Sequence, residues 1–268
     1  MTKPTAGLTR RSALAAFGSA TVASPLVTPA SAQSASRTFV LVHGAWHGGW
    51  CWRRVSDRLE RKGHKVFAPS LTGLGDRSHL ISQQVNVTTH ITDIANLIRY
   101  ENLRDVVLVG HSYAGFVISG VAEKERDAIR SIVFLDAYVP QNGQSVLSLG
   151  SQGMRDNVNA AIKRGQTGMA PASAAYFKVN EKDRAYVDSK CTPQPVGAYG
   201  EAIMLTGARE KIGKKTYIRA KGWNAPGFDN VVTRLRGDAS WNLRDINCGH
   251  DAMIDMPDQL TELLIEAA

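Results

Sequence analysis

Val106-Val-Leu-Val-Gly-His-Ser-Tyr-Ala-Gly-Phe-Val-Ile118 reads as a strand, a sharp turn and the start of a helix. Val106–Val109 is a short apolar run rich in β-branched side chains, the pattern of a parallel strand buried on both faces. Gly110-His-Ser-Tyr-Ala-Gly115 follows without a spacer. Phe116, Val117, Ile118, Val121 and Ala122 then continue as an apolar helix that ends near Glu123–Arg126. A serine at the apex of such a turn projects its hydroxyl above the carboxyl edge of a sheet, which is the setting of a nucleophilic serine. The N–H of Tyr113 points at the same space. Ala114 stands where the G-x-S-x-G pattern has its last glycine, with Gly115 directly behind, and alanine is small enough for the turn. A serine between glycines can be an ordinary turn; the flanking strand and helix favour the nucleophile.

Working outward, Arg37–His43 is a first buried strand that runs straight into Gly44-Ala-Trp-His-Gly-Gly-Trp50. A glycine-rich loop at a strand end leaves the N–H of Ala45 free to face a substrate oxygen, so Ala45 and Tyr113 together are the candidate oxyanion hole. His43 is expected to brace this loop. Trp46, His47 and Trp50 are candidates for a pocket wall, with plain aromatic packing as the other account. Trp52–Lys62 is an amphipathic helix closed by Gly63, His64–Ala68 a strand, and Thr88–Tyr100 a helix with Ile91, Ile94, Ala95 and Ile98 on one side.

Arg130–Leu135 is another buried strand, ending in Asp136-Ala-Tyr138. An acid at the carboxyl end of a sheet strand lies where α/β sheets keep their ligands. Residues 141–215 change character: Gln, Asn, Ser, Gly and Ala rise, and short helical pieces alternate with turns. This stretch is expected to be a helical cap over the site. Thr216–Ala220 returns as a strand, Phe228–Arg236 as a helix and Ser240–Asn247 as the last strand, before a closing helix from Asp255 to Glu266. His250 stands in the loop between those last two elements. Serine, acid, histidine is the chain order expected of a triad on such a sheet, so Ser112, Asp136 and His250 are the catalytic candidates.

The chain has 268 residues, 43% of them hydrophobic, which suits one α/β core. Residues 1–32 resemble an export signal of the twin-arginine type: Arg10-Arg11, a weakly apolar segment to Val27, and Ala30-Ser-Ala32 as a cleavage site. The expected location is therefore periplasmic or secreted. The formal charge is +8, of which Lys3, Arg10 and Arg11 lie in that segment. The remaining basic residues are scattered without an aromatic-interleaved stripe, which argues against a nucleic-acid partner. No stretch after residue 35 is long and apolar enough for a membrane anchor. Three cysteines without a C-x-x-C suggest neither a disulfide framework nor a zinc site, and nothing points to a metal or cofactor.

Phe39–Trp52, Val109–Gly115, Thr192–Pro195 and Gly249-His250 resemble the α/β-hydrolase superfamily, in the branch that holds esterases, methyl esterases and hydroxynitrile lyases. The resemblance spans roughly residues 37–267. It implies an α/β-hydrolase fold: a mostly parallel, doubly wound sheet from residues 37–140 and 216–268, with a small helical cap, 141–215, inserted between strands. It also implies Ser112 as nucleophile, His250 as general base, and the Ala45 and Tyr113 amides as oxyanion donors. The acid departs from that pattern. It usually follows the penultimate strand, but Arg219-Ala-Lys-Gly-Trp-Asn-Ala-Pro226 holds no carboxylate. Some members place it one strand earlier, where Asp136 lies; Asp229 and Asp238 are the fallbacks.

The function expected is a serine carboxylic-ester hydrolase acting through an acyl-enzyme. Trp46, Trp50, Tyr113 and Tyr138 hint at a small or medium ester with an apolar or aromatic group. The alternatives are a non-hydrolytic, receptor-like ligand-binding protein and a hydroxynitrile lyase-type enzyme on the same fold. The lyase branch has threonine where this chain has Gly44, and lysine where it has Asp251, so hydrolysis is favoured.

Overall fold

The computed structural model describes residues 36–268; the expected export segment, residues 1–32, lies outside the described residues. Six strands form the main sheet: β1 (Thr38–Val42), β2 (Lys65–Phe67), β3 (Val106–His111), β4 (Ile129–Leu135), β5 (Lys214–Ala220) and β6 (Trp241–Ile246). Their order is β2-β1-β3-β4-β5-β6, with each neighbouring pair parallel. The order reverses between β1 and β3. The loops leaving the carboxyl ends of those two strands therefore part to opposite sides and leave a crevice between them. Those loops are the Gly44–Trp50 loop and the Ser112 turn.

Strand periodicity sorts the core into two layers. Val106 and Leu108 pack in one cluster with helix α2 (Val87–Tyr100) and helix α3 (Ala114–Glu125). Val107 and Val109 pack in the other with helix α1 (Arg53–Arg61), through Val55 and Leu59. Alternate residues of one strand point to opposite faces, so an uninterrupted apolar run is what a sheet covered on both sides requires. On α2 the buried set Val87, Ile91, Ile94 and Ile98 follows the helical repeat. Asn86 caps that helix by accepting from the Thr89 N–H at 2.9 Å.

The stretch between β4 and β5 holds helices α4 (Gln152–Lys163) and α5 (Glu181–Lys190) among turns, and a two-residue antiparallel pairing of Gly168–Met169 with Gln194–Pro195. Helix α6 (Pro226–Leu235) joins β5 to β6. The closing helix α7 runs from Pro257 to Glu266, two residues later than the pattern suggests, after a separate short turn Ala252–Asp255. The physical reason is Pro257. It serves at the first turn of a helix but pushes the preceding residue out of helical geometry, and Met256 has φ −133° and ψ 52°. Among the described residues no helix is long and apolar enough to cross a membrane.

Candidate active site

The turn at Ser112 is a strained one. Ser112 has φ +55°, in the left-handed region that non-glycine residues avoid. Three contacts impose it: the Ser112 N–H donates to the Leu135 carbonyl at 3.1 Å, and the Ser112 carbonyl accepts from Gly115 at 3.1 Å and Tyr138 at 3.2 Å. Gly115 is the glycine this turn depends on. A Cβ there would lie 1.8 Å from the Tyr138 carbonyl oxygen. Ala114, fully buried, fits beside it. Asp136 and Trp46 also have positive φ, +41° and +65°. Backbone held in sparsely populated conformations by its surroundings concentrates where side chains must be aimed; Ser112 and Trp46 line one cavity, and Asp136 meets it through His250.

That cavity has a volume of about 190 Å³. Ser112, His250, Ala45, Tyr113, Trp46 and Tyr138 line it together, so six of the candidates read from sequence meet in one place. Trp50 does not line it. Its ring instead stacks on His47, 5.3 Å between centroids, and meets Tyr186 edge-on at 5.6 Å. The segment between β4 and β5 adds Val146, Met154, Tyr176, Phe177, Gln194 and Tyr199 to the lining.

His250 is held on every side. Its Nδ1 lies 2.7 Å from Asp136 Oδ2. Its backbone N–H donates to the Phe177 carbonyl at 2.9 Å, and its carbonyl accepts from His111 Nε2 at 3.1 Å. Trp223 (4.3 Å), His111 (4.4 Å) and Phe177 (5.2 Å) pack around the ring, measured between centroids. A Cβ on Gly249 would lie 2.3 Å from the Lys178 carbonyl, so only glycine lets the histidine loop pass that close.

Asp136 is fully buried and both its oxygens are used. Oδ1 accepts from Arg219 Nη1 at 2.8 Å and from the Ala220 N–H at 3.1 Å, leaving Oδ2 for His250. Arg219 leaves the end of β5, the strand end where related proteins usually place the acid and this chain has none. Its guanidinium also donates to the Trp223 carbonyl at 2.9 Å, to Asp229 at 2.9 Å and to the Ala220 carbonyl. Burial would lower the Arg219 pKa, but the Asp136 and Asp229 charges raise it, so the cation is secure. Asp229 is thus engaged by Arg219. Asp238 sits on the surface, accepting from the Ser240 N–H and hydroxyl at 2.9 and 2.6 Å. Of the three carboxylates considered, Asp136 is the one bonded to His250.

The Gly44–Trp50 loop closes the other side. A Cβ on Gly44 would lie 2.9 Å from Ser112 Cβ, so this glycine is what brings the loop against the turn. His43 braces it: Nδ1 donates to the Gly44 carbonyl at 2.8 Å and Nε2 accepts from the Leu71 N–H at 3.0 Å. Complete burial pushes the His43 pKa down to about 3, so the ring is neutral, as that bonding pattern requires. The Trp46 N–H donates to Gln194 at 3.1 Å and its indole to the Met169 carbonyl at 3.1 Å. Tyr113 donates its hydroxyl to His90 Nδ1 at 2.8 Å, which anchors the residue whose backbone follows Ser112. All three cysteines are free.

The strand order, the strained serine turn and the buried histidine–aspartate pair define an α/β hydrolase. The alpha/beta hydrolase family matches residues 39–263. The chain is 40% identical to the carbendazim hydrolyzing esterase of a Nocardioides species, over 84% of this chain and 97% of that one. It is 26% identical to methylesterase 10 of Arabidopsis thaliana, over 86% and 91% of the two chains. Its fold is shared with an extracellular α/β-hydrolase from a Paenibacillus species, at TM-score 0.76 and 23% identity over 87% and 99% of the two chains. The chain therefore belongs to the alpha/beta hydrolase family, as a carboxylesterase-type hydrolase.

Proposed function

We propose that this esterase acts through a Ser112–His250–Asp136 triad and an acyl-enzyme. Ser112 Oγ attacks the ester carbonyl while His250 takes its proton, and His250 then returns that proton to the leaving alcohol. Asp136 holds the imidazole with Nδ1 protonated and stabilises the imidazolium. The Ala45 and Tyr113 N–H groups receive the oxyanion; losing one such donor costs roughly 3–4 kcal/mol of transition-state stabilisation. Water, activated by His250, releases the acid. The 2.7 Å contact between His250 and Asp136, beside a cavity that Ser112 also lines, is the observation that carries this reading.

The substrate is a small or medium ester with an apolar or aromatic group. Trp46, Tyr138, Tyr176, Phe177, Trp223 and Phe228 supply aromatic walls. A dry cavity of roughly 150 Å³ is enough for benzene, so about 190 Å³ suits one aromatic ring. Methyl esters are the first to try, because several relatives are named as methylesterases. Residues 141–215 serve as the cap that sets this selectivity, and the export segment sends the mature chain to the periplasm or outside. Gly44 supports hydrolysis over cyanohydrin cleavage, since the lyase branch carries a threonine at that position.

The test is kcat/KM on p-nitrophenyl and methyl esters, together with labelling by a serine-reactive phosphonate. Turnover that vanishes in Ser112→Ala, with the label on Ser112, is expected. A label on any other residue overturns the assignment.

A further inference from the structure

His47 and Asp251 are not used by that mechanism, yet they form a buried, closely bonded pair beside it. His47 Nε2 lies 3.0 Å from Asp251 Oδ2, and the two side chains are 2% and 0% exposed. His47 Nδ1 lies 2.8 Å from the Ala45 carbonyl. Asp251 directly follows His250. The pair therefore bridges the loop that carries Ala45 and the loop that carries His250.

The bonding partners dictate the proton count. A carbonyl oxygen only accepts, so Nδ1 must carry a proton. The bond from Nε2 to the carboxylate needs a second proton between them. The pair thus holds one proton more than a neutral imidazole beside a carboxylate, written as imidazolium and carboxylate. Burial alone would lower the His47 pKa, but the Asp251 charge and the hydrogen bonds outweigh it and raise it. Burial would likewise raise the Asp251 pKa, and the His47 charge outweighs that and lowers it.

The groups around the pair leave it intact. His111 meets His47 edge-on at 6.1 Å from the end of β3 and is kept neutral by burial. His43, from the end of β1, is neutral for the same reason. Trp50 stacks on the ring from its own loop. His111, with Nε2 3.9 Å from Asp251 Oδ1, together with His250, Cys51 and Cys191 surrounds Asp251, and burial pushes both thiols up so that they stay protonated. Asp255, one turn on, is raised by burial first and by Asp251 second.

We propose that His47 and Asp251 are positioning residues, a buried ion pair that holds the Ala45 amide in its oxyanion-binding orientation and in register with the His250 loop. The proposal rests on the reading of Ala45 as an oxyanion donor. Its consequence is kinetic. Above the raised His47 pKa a neutral ring can donate to Asp251 or to Ala45 but not to both, so the loop loosens and kcat falls while KM changes little. The kcat/KM profile then has an alkaline limb that belongs to His47.

The experiment is the pH profile of kcat and KM on a p-nitrophenyl ester for wild type, Asp251→Asn, His47→Gln and Ser112→Ala, with imidazole ¹⁵N–¹H NMR of the wild type at pH 6.5. Expected are two protonated nitrogens on His47 and an alkaline limb moved at least one pH unit lower in Asp251→Asn. That variant's kcat is expected to fall about tenfold, and His47→Gln to lose the limb. A single neutral tautomer of His47 at pH 6.5, or superimposable profiles in all active variants, overturns the proposal. Turnover surviving in Ser112→Ala would instead overturn the triad reading, and the NMR spectrum then decides the pair by itself.

Discussion

Arg219 Nη1 and Asp136 Oδ1 lie 2.8 Å apart in a buried pair at the carboxyl ends of neighbouring strands. The arginine occupies the strand end from which the acid is absent, and it orients the carboxylate that faces His250 from the next strand. The proposed triad acid and its support are thus divided between the ends of β4 and β5.

That arrangement makes Asp136 the residue to change first. Asp136→Asn is expected to lower kcat/KM by roughly 10³–10⁴-fold, as loss of the orienting acid does in such triads. Asp229→Asn and Asp238→Asn are expected to stay within tenfold of wild type. Steady-state kinetics on one p-nitrophenyl ester compares all three, and a near-normal Asp136→Asn would remove it from the triad.

Arg219 is expected to tolerate no replacement. Its guanidinium serves Asp136, Asp229 and two carbonyls at once, a planar fork that lysine cannot reproduce. Arg219→Met leaves Asp136 as a buried charge with a lost partner, which typically destabilises by about 3–5 kcal/mol. Urea unfolding and kcat/KM should fall together in Arg219→Met and in Arg219→Lys. Full activity in the lysine variant would show that charge alone suffices.

Gly115→Ala tests the turn itself. Its Cβ would meet the Tyr138 carbonyl at 1.8 Å, so the α3 start or the β4 exit has to shift. Overpacking of this kind costs about 1–3 kcal/mol or more. A drop in Tm accompanied by loss of phosphonate labelling is the expected pair of results. An unchanged Tm would mean the turn has room that its geometry denies.

Acid should unfold this protein early. His43, His90 and His111 are all held below the ordinary imidazole value by burial, His43 at about 3 against 6.5. A depressed histidine pKa means that unfolding takes up protons. The stability these rings contribute is therefore complete above pH 6.5 and is lost as pH falls toward 3. His47, with its raised pKa, works in the opposite sense, its contribution being complete below pH 6.5 and lost on the alkaline side. Urea midpoints at pH 7.5 and 4.5 measure the balance, and a flat result would mean the three rings are not stored neutral.

Much of this was legible in the chain. The apolar run Val106–Val109 read as a strand covered on both faces, and glycine placement around Ser112 and Ala45 marked the Ser112 turn and the Gly44–Trp50 loop. Ser112, Asp136 and His250 stood out as candidates by their places at strand ends and loops, with Asp229 and Asp238 still open as the acid. The role of Trp50 was not legible, because an aromatic side chain packs on a histidine as readily as it lines a cavity. Nor were Arg219 and Asp251, whose partners are distant in sequence.

Local patterning thus determined the strands, the Ser112 turn and the glycine-rich Gly44–Trp50 loop, since these depend on periodicity and on where a Cβ fits. Which carboxylate meets His250, what secures Arg219, and the pairing of His47 with Asp251 across 204 residues were decided by strand order alone. A buried charge is stable only beside a partner, and which residues become partners is a property of the folded sheet rather than of any stretch of chain.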